Sequence, residues 1–227
     1  MKKSWHSDII NALENRDGSK VVGSESAMDK YDSEFFKSHL KYRPIYDFIG
    51  DLIAAHFKPS SAIDYGCGCG FLLERLWGHG IKNILGVEGS AEVEDFWNNE
   101  LPKELTRNLI VRDILSISCV AVYDIVICME VAEHIDEKQA DKLVSTVSMS
   151  SDKWVWWTAA QPGQGGTGHI NCQSVCYWVE KFKKFGFEAD WEKTYEIKQA
   201  MLQNHAICLG YPWFKSNLCI FKKIGEI

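Results

Sequence analysis

The segment Ala62-Ile63-Asp64-Tyr65-Gly66-Cys67-Gly68-Cys69-Gly70 constrains this chain more than any other. A short apolar run ends in an acid, opens into alternating glycines, and continues as Phe71-Leu72-Leu73-Glu74-Arg75-Leu76 with helical spacing. Strand, tight glycine turn and helix together bring backbone N–H groups against a nucleotide-like ligand. Glycine is needed because the loop turns tightly and a Cβ would hold the ligand off. The acid at the strand end selects the ligand's charge. A carboxylate there repels a pyrophosphate and attracts an ammonium or sulfonium group, so Asp64 points to a cationic ligand without phosphate.

S-adenosylmethionine is the obvious ligand of that kind. The glycine spacing agrees. The dinucleotide fingerprint is G-x-G-x-x-G, whereas here the third glycine comes one residue early, giving G-x-G-x-G. This resembles motif I of the class I S-adenosylmethionine-dependent methyltransferases. The resemblance covers roughly residues 30–225. It implies an α/β, Rossmann-like fold: a seven-stranded, mostly parallel sheet with helices on both faces and a C-terminal antiparallel hairpin. It also implies that Asp64, Gly66, Cys67 and Gly68 hold the cofactor.

The alternation of strand-like and helical runs independently predicts an α/β fold with a mainly parallel sheet. Strands are expected at 62–65, 84–88, 109–111, 123–128 and 154–158, and helices at 70–78, 90–100, 136–149 and 173–185. A helical region over 32–56 is interrupted at Pro44, and residues 8–16 read as a short helix before a loop over 18–30. The expected terminal hairpin pairs Ala206-Ile207-Cys208-Leu209 with Leu218-Cys219-Ile220-Phe221. Residues 1–30 are thus an N-terminal helix and loop, and 31–227 a single methyltransferase domain.

Further candidate residues follow the strands in order. Glu88, 18 positions after Gly70, ends the second strand with Gly89 next to it. An acid there accepts both ribose hydroxyls, a device that NAD enzymes share. Asp113 and Ile114 follow the third strand. In the family resembled, such an Asp bonds the adenine amine and the next N–H meets a ring nitrogen; an N-cap role for Asp113 fits equally well.

The segment Cys128-Met129-Glu130-Val131-Ala132-Glu133-His134-Ile135 resembles the "ExxEH" stretch after strand four of many small-molecule methyltransferases. That places Met129, Glu130 and Val131 at the cofactor, and Glu133 and His134 near the chemistry. His134 either takes part in catalysis or braces the site. The loop from Gln161 to Gly168, with four glycines and a proline, leads to His169 and Asn171. With Tyr177-Trp178 it resembles a "PGQGGxGHxN…YW" pattern of domains often associated with glycan modification. His169, on the acceptor side of the cofactor, is the expected general base for a hydroxyl nucleophile, and His134 the brace nearer the methionine end. Tyr31, in Tyr31-Asp32-Ser33-Glu34-Phe35-Phe36, resembles the cap laid over the cofactor, while Phe35 and Phe36 also read as core.

Composition limits the alternatives. A net charge of −6 disfavours a nucleic-acid partner. No apolar run reaches membrane length and no signal peptide is visible, so a cytoplasmic protein is expected. The eight cysteines are scattered rather than arranged as a disulfide frame. His169, Cys172 and Cys176 have ligand-like spacing, but no four-ligand zinc pattern is complete, and no metal is expected. The resulting expectation is O-methylation of a small polar acceptor, first a sugar hydroxyl of a glycan. N-methylation of an amino sugar, a non-catalytic methyltransferase-like binding partner, and an NAD-dependent oxidoreductase using Tyr177-x-x-x-Lys181 are the rivals.

Overall fold

A computed structural model describes residues 31–117 and 121–225; the expected helix at 8–16 and loop at 18–30 lie outside them. In chain order the elements are α1 (Ser33–Ser38), α2 (Arg43–Phe57), β1 (Ser61–Tyr65), α3 (Phe71–Gly78), β2 (Asn83–Glu88), α4 (Glu94–Glu100), α5 (Lys103–Thr106), β3 (Leu109–Val111), β4 (Tyr123–Met129), α6 (Ala140–Met149), β5 (Ser151–Thr158), α7 (Val175–Lys183), β6 (Phe187–Ala189), α8 (Trp191–Met201), α9 (His205–Leu209), α10 (Trp213–Ser216) and β7 (Cys219–Lys223). One seven-stranded sheet runs β3-β2-β1-β4-β5-β7-β6. Strands β1 to β5 pair in parallel, and β7 is antiparallel to both its neighbours.

The strands are apolar because both faces of the sheet are covered. Side chains alternate between two cores. Trp154 and Trp156 enter the core with Phe36, Ile49, Leu72 and Phe96, while Val155 and Trp157 enter the one with Tyr65, Val144, Trp178 and Phe182. The same alternation puts Ile63 and Tyr65 of β1 in the second core and Ala62 in the first. Asp64 therefore faces the side of α1, α2 and α3.

Strand order reverses between β1 and β4. Those strands are register neighbours, Tyr65 opposite Cys128, so their C-terminal ends open side by side. Open α/β sheets bind ligands at such a switch point. The expected interruption of the helical region is present: a 3-10 turn at His39–Tyr42 separates α1 from α2, and Pro44 sits in the first turn of α2, where its missing N–H costs nothing.

One expected element is wrong. Ala206–Leu209 is not a strand but α9, started by the Asn204 side chain accepting from the Ile207 amide at 3.1 Å. The C-terminal antiparallel pair exists, but the partner of β7 is the three-residue β6, with Phe187 opposite Lys223. Three helices separate β6 from β7, so the pair is not a tight hairpin. Among the described residues no helix is long and apolar enough to cross a membrane.

Candidate active site

A cleft opens at the switch point, lined by Asp64, Gly66, Cys67, Gly68 and Met129 from the strand ends and by Phe35, Phe36, His39 and Tyr46 from α1, the turn after it and α2.

The glycines make the tight turn expected of them. Gly66, Gly68 and Gly70 all have positive φ, at 77°, 49° and 75°. A Cβ on Gly66 would lie 2.3 Å from Val131 Cγ2, whereas one on Gly68 would meet nothing within 4 Å. Gly66 is thus fixed by packing and Gly68 faces open space. Trp97 holds the loop from behind, its indole N–H donating to the Gly68 carbonyl at 2.8 Å.

Asp64 is 3% exposed, and its carboxylate meets no hydrogen-bond donor among the described residues. Burial, with Glu88 nearby, raises its carboxyl from 3.8 to about 8. A cationic ligand would reverse that penalty. Burial also pushes the Tyr46 hydroxyl up, with Asp64 adding to it.

Glu88 has a structural task that its position in the sequence did not announce. Its Oε2 accepts from the Gly68 amide at 3.0 Å, and its Oε1 from the amides of Gly89 and Ser90 at 2.8 and 3.0 Å. The carboxylate pins the glycine loop to the end of β2. Burial still leaves it above the usual carboxylate range. Asp113 lies beyond β3 and caps the following turn, accepting from the Leu115 amide at 2.8 Å. The N-cap role is present, and one carboxylate oxygen remains for another partner. Ile114 is buried behind it.

The second half of the site forms where the turn after β4 meets the glycine-rich loop after β5. The amides of Ile170 and Asn171 both donate to the Glu133 carbonyl, at 2.8 and 3.0 Å. This zips the two segments together. The expectation that separated His134 from His169 needs correction: their rings lie 5.0 Å apart, edge to face.

Both imidazoles are anchored the same way. His134 Nδ1 lies 3.1 Å from the Gly168 carbonyl and His169 Nδ1 lies 3.2 Å from the Gln164 carbonyl. A carbonyl only accepts, so each Nδ1 carries a proton, and in the neutral ring the lone pair is then on Nε2. Burial lowers the His134 pKa, with the Gly168 carbonyl opposing and His169 adding to the fall. Tyr31 reaches this cluster, its hydroxyl 3.1 Å from His134 Nδ1, while its carbonyl accepts from Ser90 Oγ at 2.9 Å. It therefore spans from the Glu88 loop to the histidines.

Glu133 is fully buried, and neither carboxylate oxygen has a hydrogen-bond partner among the described residues. Burial first, and Glu130 second, push its carboxyl well above the usual range. One ligand-type atom from each of Glu133, His134 and His169 lies within 4.8 Å of the others. Glu130 itself adopts φ 52°, and its carboxylate accepts from Asn217 Nδ2 at 3.1 Å. The same amide nitrogen donates to Gln164 Oε1 at 3.0 Å.

The residues missed by sequence reasoning are His39, Tyr46, Trp97, Gln164 and Asn217. Gln164 lies inside the glycine-rich motif but carried no signal of its own there; the others reach the site by folding, and Asn217 in particular comes from the turn before β7. One rival feature falls elsewhere. Lys181 is tied to Asp141 of α6 at 2.6 Å and lies over the Tyr177 ring, so the Tyr–Lys pair sits in the α6–α7 layer. Cys67 and Cys69 are buried, and Cys69 Sγ donates to the Phe36 carbonyl at 3.4 Å.

A family model described as "Methyltransferase domain" matches residues 63–147, the span from β1 to α6. The curated "Ubiquinone biosynthesis O-methyltransferase" of Paraburkholderia phytofirmans is 28% identical over 107 residues, a match that covers 46% of this chain and 46% of that protein. Among solved structures, a SAM-dependent methyltransferase from Archaeoglobus fulgidus superposes with a TM-score of 0.57 at 17% identity, covering 83% of this chain and 99% of the other. Magnesium protoporphyrin IX methyltransferase from Synechocystis, with bound SAH, superposes with a TM-score of 0.55 at 16% identity, covering 82% and 86%. These likenesses establish the fold of the class I methyltransferases.

Proposed function

We propose that the chain is a class I, S-adenosylmethionine-dependent methyltransferase domain that methylates a hydroxyl of a small polar acceptor, first among them a sugar of a glycan precursor. The observation that carries this reading is the pair of Nδ1-anchored imidazoles beside the cofactor cleft. Methyl transfer to oxygen is an in-line displacement. The acceptor oxygen attacks the methyl carbon, the S–C bond breaks with its electrons going to sulfur, and the hydroxyl proton must leave. A neutral imidazole with its lone pair on Nε2 is built to take that proton. His169 is the base and His134 its brace, because His169 stands on the glycine-rich loop that an acceptor would approach.

Asp64 would hold the cofactor's ammonium end, Gly66 and Gly68 its close backbone approach, Glu88 and Gly89 the ribose, and Asp113 with Ile114 the adenine. Met129, Glu130 and Val131 border it from β4, and Tyr31 covers it. Alignment of the two substrates supplies much of the rate. The polar group that Gln164, Asn217 and Glu130 form by hydrogen bonds beside the glycine-rich loop favours a hydroxylated acceptor over a hydrocarbon one. The glycan assignment comes from the resemblance of the Pro162–Asn171 segment.

The test is mass spectrometry of products from S-adenosylmethionine with nucleotide sugars, oligosaccharides, amino sugars and small phenols. O-methylated sugar is the expected product. Transfer only to an amine, to protein or to tRNA refutes the acceptor class. His169→Ala is expected to lower kcat by roughly 10²–10⁴-fold with cofactor affinity nearly unchanged.

A further inference from the structure

We propose that Glu133, His134 and His169 form a binding site for a divalent first-row transition-metal ion. The inference departs from the metal-free expectation and was invisible in the sequence, because the three ligands come from two loops that only the fold brings together.

Three independent features carry it. One ligand-type atom from each residue lies within 4.8 Å of the others. Both imidazoles give their Nδ1 proton to a backbone carbonyl, of Gly168 and of Gln164. That outer contact is the one metal-ligating histidines make, fixing the tautomer and leaving Nε2 for the ion. The Glu133 carboxylate is fully buried, and neither of its oxygens has a partner among the described residues. A buried carboxylate without a donor, beside a second acid at Glu130, requires a cation or a proton.

The donor set specifies the ion. Two imidazole nitrogens and one carboxylate oxygen suit Zn²⁺, Mn²⁺, Fe²⁺ or Co²⁺ rather than Mg²⁺ or Ca²⁺, which prefer all-oxygen shells. Three protein ligands leave coordination positions open. Gly166 permits the geometry: a Cβ there would fall 2.2 Å from His169 Nε2, so any larger residue would push the ring out of place.

The role of the ion rests on the O-methyl reading above. An acceptor oxygen in an open position would bind next to the cofactor and give up its proton more readily. With the ion bound, His169 is a ligand and the ion loosens the acceptor's proton; without it, His169 keeps the role of base given above. The binding of the ion does not depend on that reading.

The experiment separates the two. Full-length protein is stripped with a chelator and titrated with MnCl₂ and ZnCl₂ by calorimetry, with Mn²⁺ also followed by electron paramagnetic resonance. One ion per chain is expected, Zn²⁺ tighter than Mn²⁺ and MgCl₂ weaker than both. Glu133→Gln and His169→Ala should each weaken binding by about 100-fold or more, beyond the effect of losing an outer-shell contact, while S-adenosylhomocysteine still binds. Cys172→Ser should leave it unchanged, although Cys172 Sγ lies 3.8 Å from His169 Nδ1. No saturable ion binding by wild type that binds S-adenosylhomocysteine overturns the site. Undiminished binding in both variants does the same. Should either variant misfold, His169→Gln replaces it, and the wild-type titration decides occupancy alone. Ion binding without methyl transfer to any hydroxyl keeps the site and removes the O-methyl reading.

Discussion

Asp64→Asn is expected to stabilise the ligand-free protein and to abolish cofactor binding. The carboxyl is 3% exposed and is raised from 3.8 to about 8 by burial and by Glu88. The folded state therefore holds this proton more tightly than the unfolded chain does. Its contribution to stability is fully present below about pH 4 and drains away as pH rises through about 8. At about 1.4 kcal/mol per pH unit, the window of roughly four units caps the loss at about 6 kcal/mol. Water penetration and local relaxation reduce this, and a difference of about 1–3 kcal/mol at pH 8 is expected. Asparagine keeps the shape without the charge, so its advantage should widen from pH 5 to pH 8 and level off above. Urea denaturation at half-unit pH steps measures it. Saturating S-adenosylhomocysteine should reverse the order, because only wild type gains the stabilisation of binding a cation. A wild type that loses no stability relative to the variant between pH 5 and 8 would refute the electrostatic reasoning. So would a variant that binds S-adenosylhomocysteine as tightly as wild type.

Gly66→Ala should cost about 2–3 kcal/mol by thermal or urea unfolding, since it combines positive φ with a 2.3 Å clash on Val131 Cγ2; adding Val131→Ala should restore part of the loss, and no rescue would show that backbone strain alone is responsible. Glu88→Ala should weaken S-adenosylhomocysteine binding by about 1.5–3 kcal/mol or more in calorimetry, because three amide contacts vanish together with the ribose contacts proposed above; unchanged affinity would remove Glu88 from the site. Trp157→Ala should destabilise the fold by about 3–5 kcal/mol, the indole being buried against Trp178 and Phe182 at 5.0 Å each, and a loss below about 1 kcal/mol would mean the second core is not packed as described.

Local chemistry made much of the scaffold legible. Strands β1 to β4 announce themselves as apolar runs closed by turn residues. The loop Gly66–Gly70 needs positive φ at three places, which only glycine supplies cheaply. Asp64 and Glu88 are readable because each ends a strand, where a parallel sheet always presents its ligand edge. The C-terminal third was less legible. Ala206–Leu209 is four apolar residues, too few to show a period of two or of 3.6, and the Asn204 cap decided for helix. The three-residue β6 exists because β7 offers it a register, not through any propensity of its own.

By itself, then, the sequence determined the elements whose cause is local: the glycine loop, the acid that faces it, and the alternation of strand and helix. Only the tertiary structure decided which side chains meet. Glu133 and His169 are 36 positions apart and come together because two amides of the second loop bond one carbonyl of the first. Asn217 reaches Glu130, and Tyr31 reaches His134, across intervals in which no periodicity survives. Contacts of this kind carry no local signal, since their energy appears only after the sheet has fixed the ends of β4 and β5 side by side.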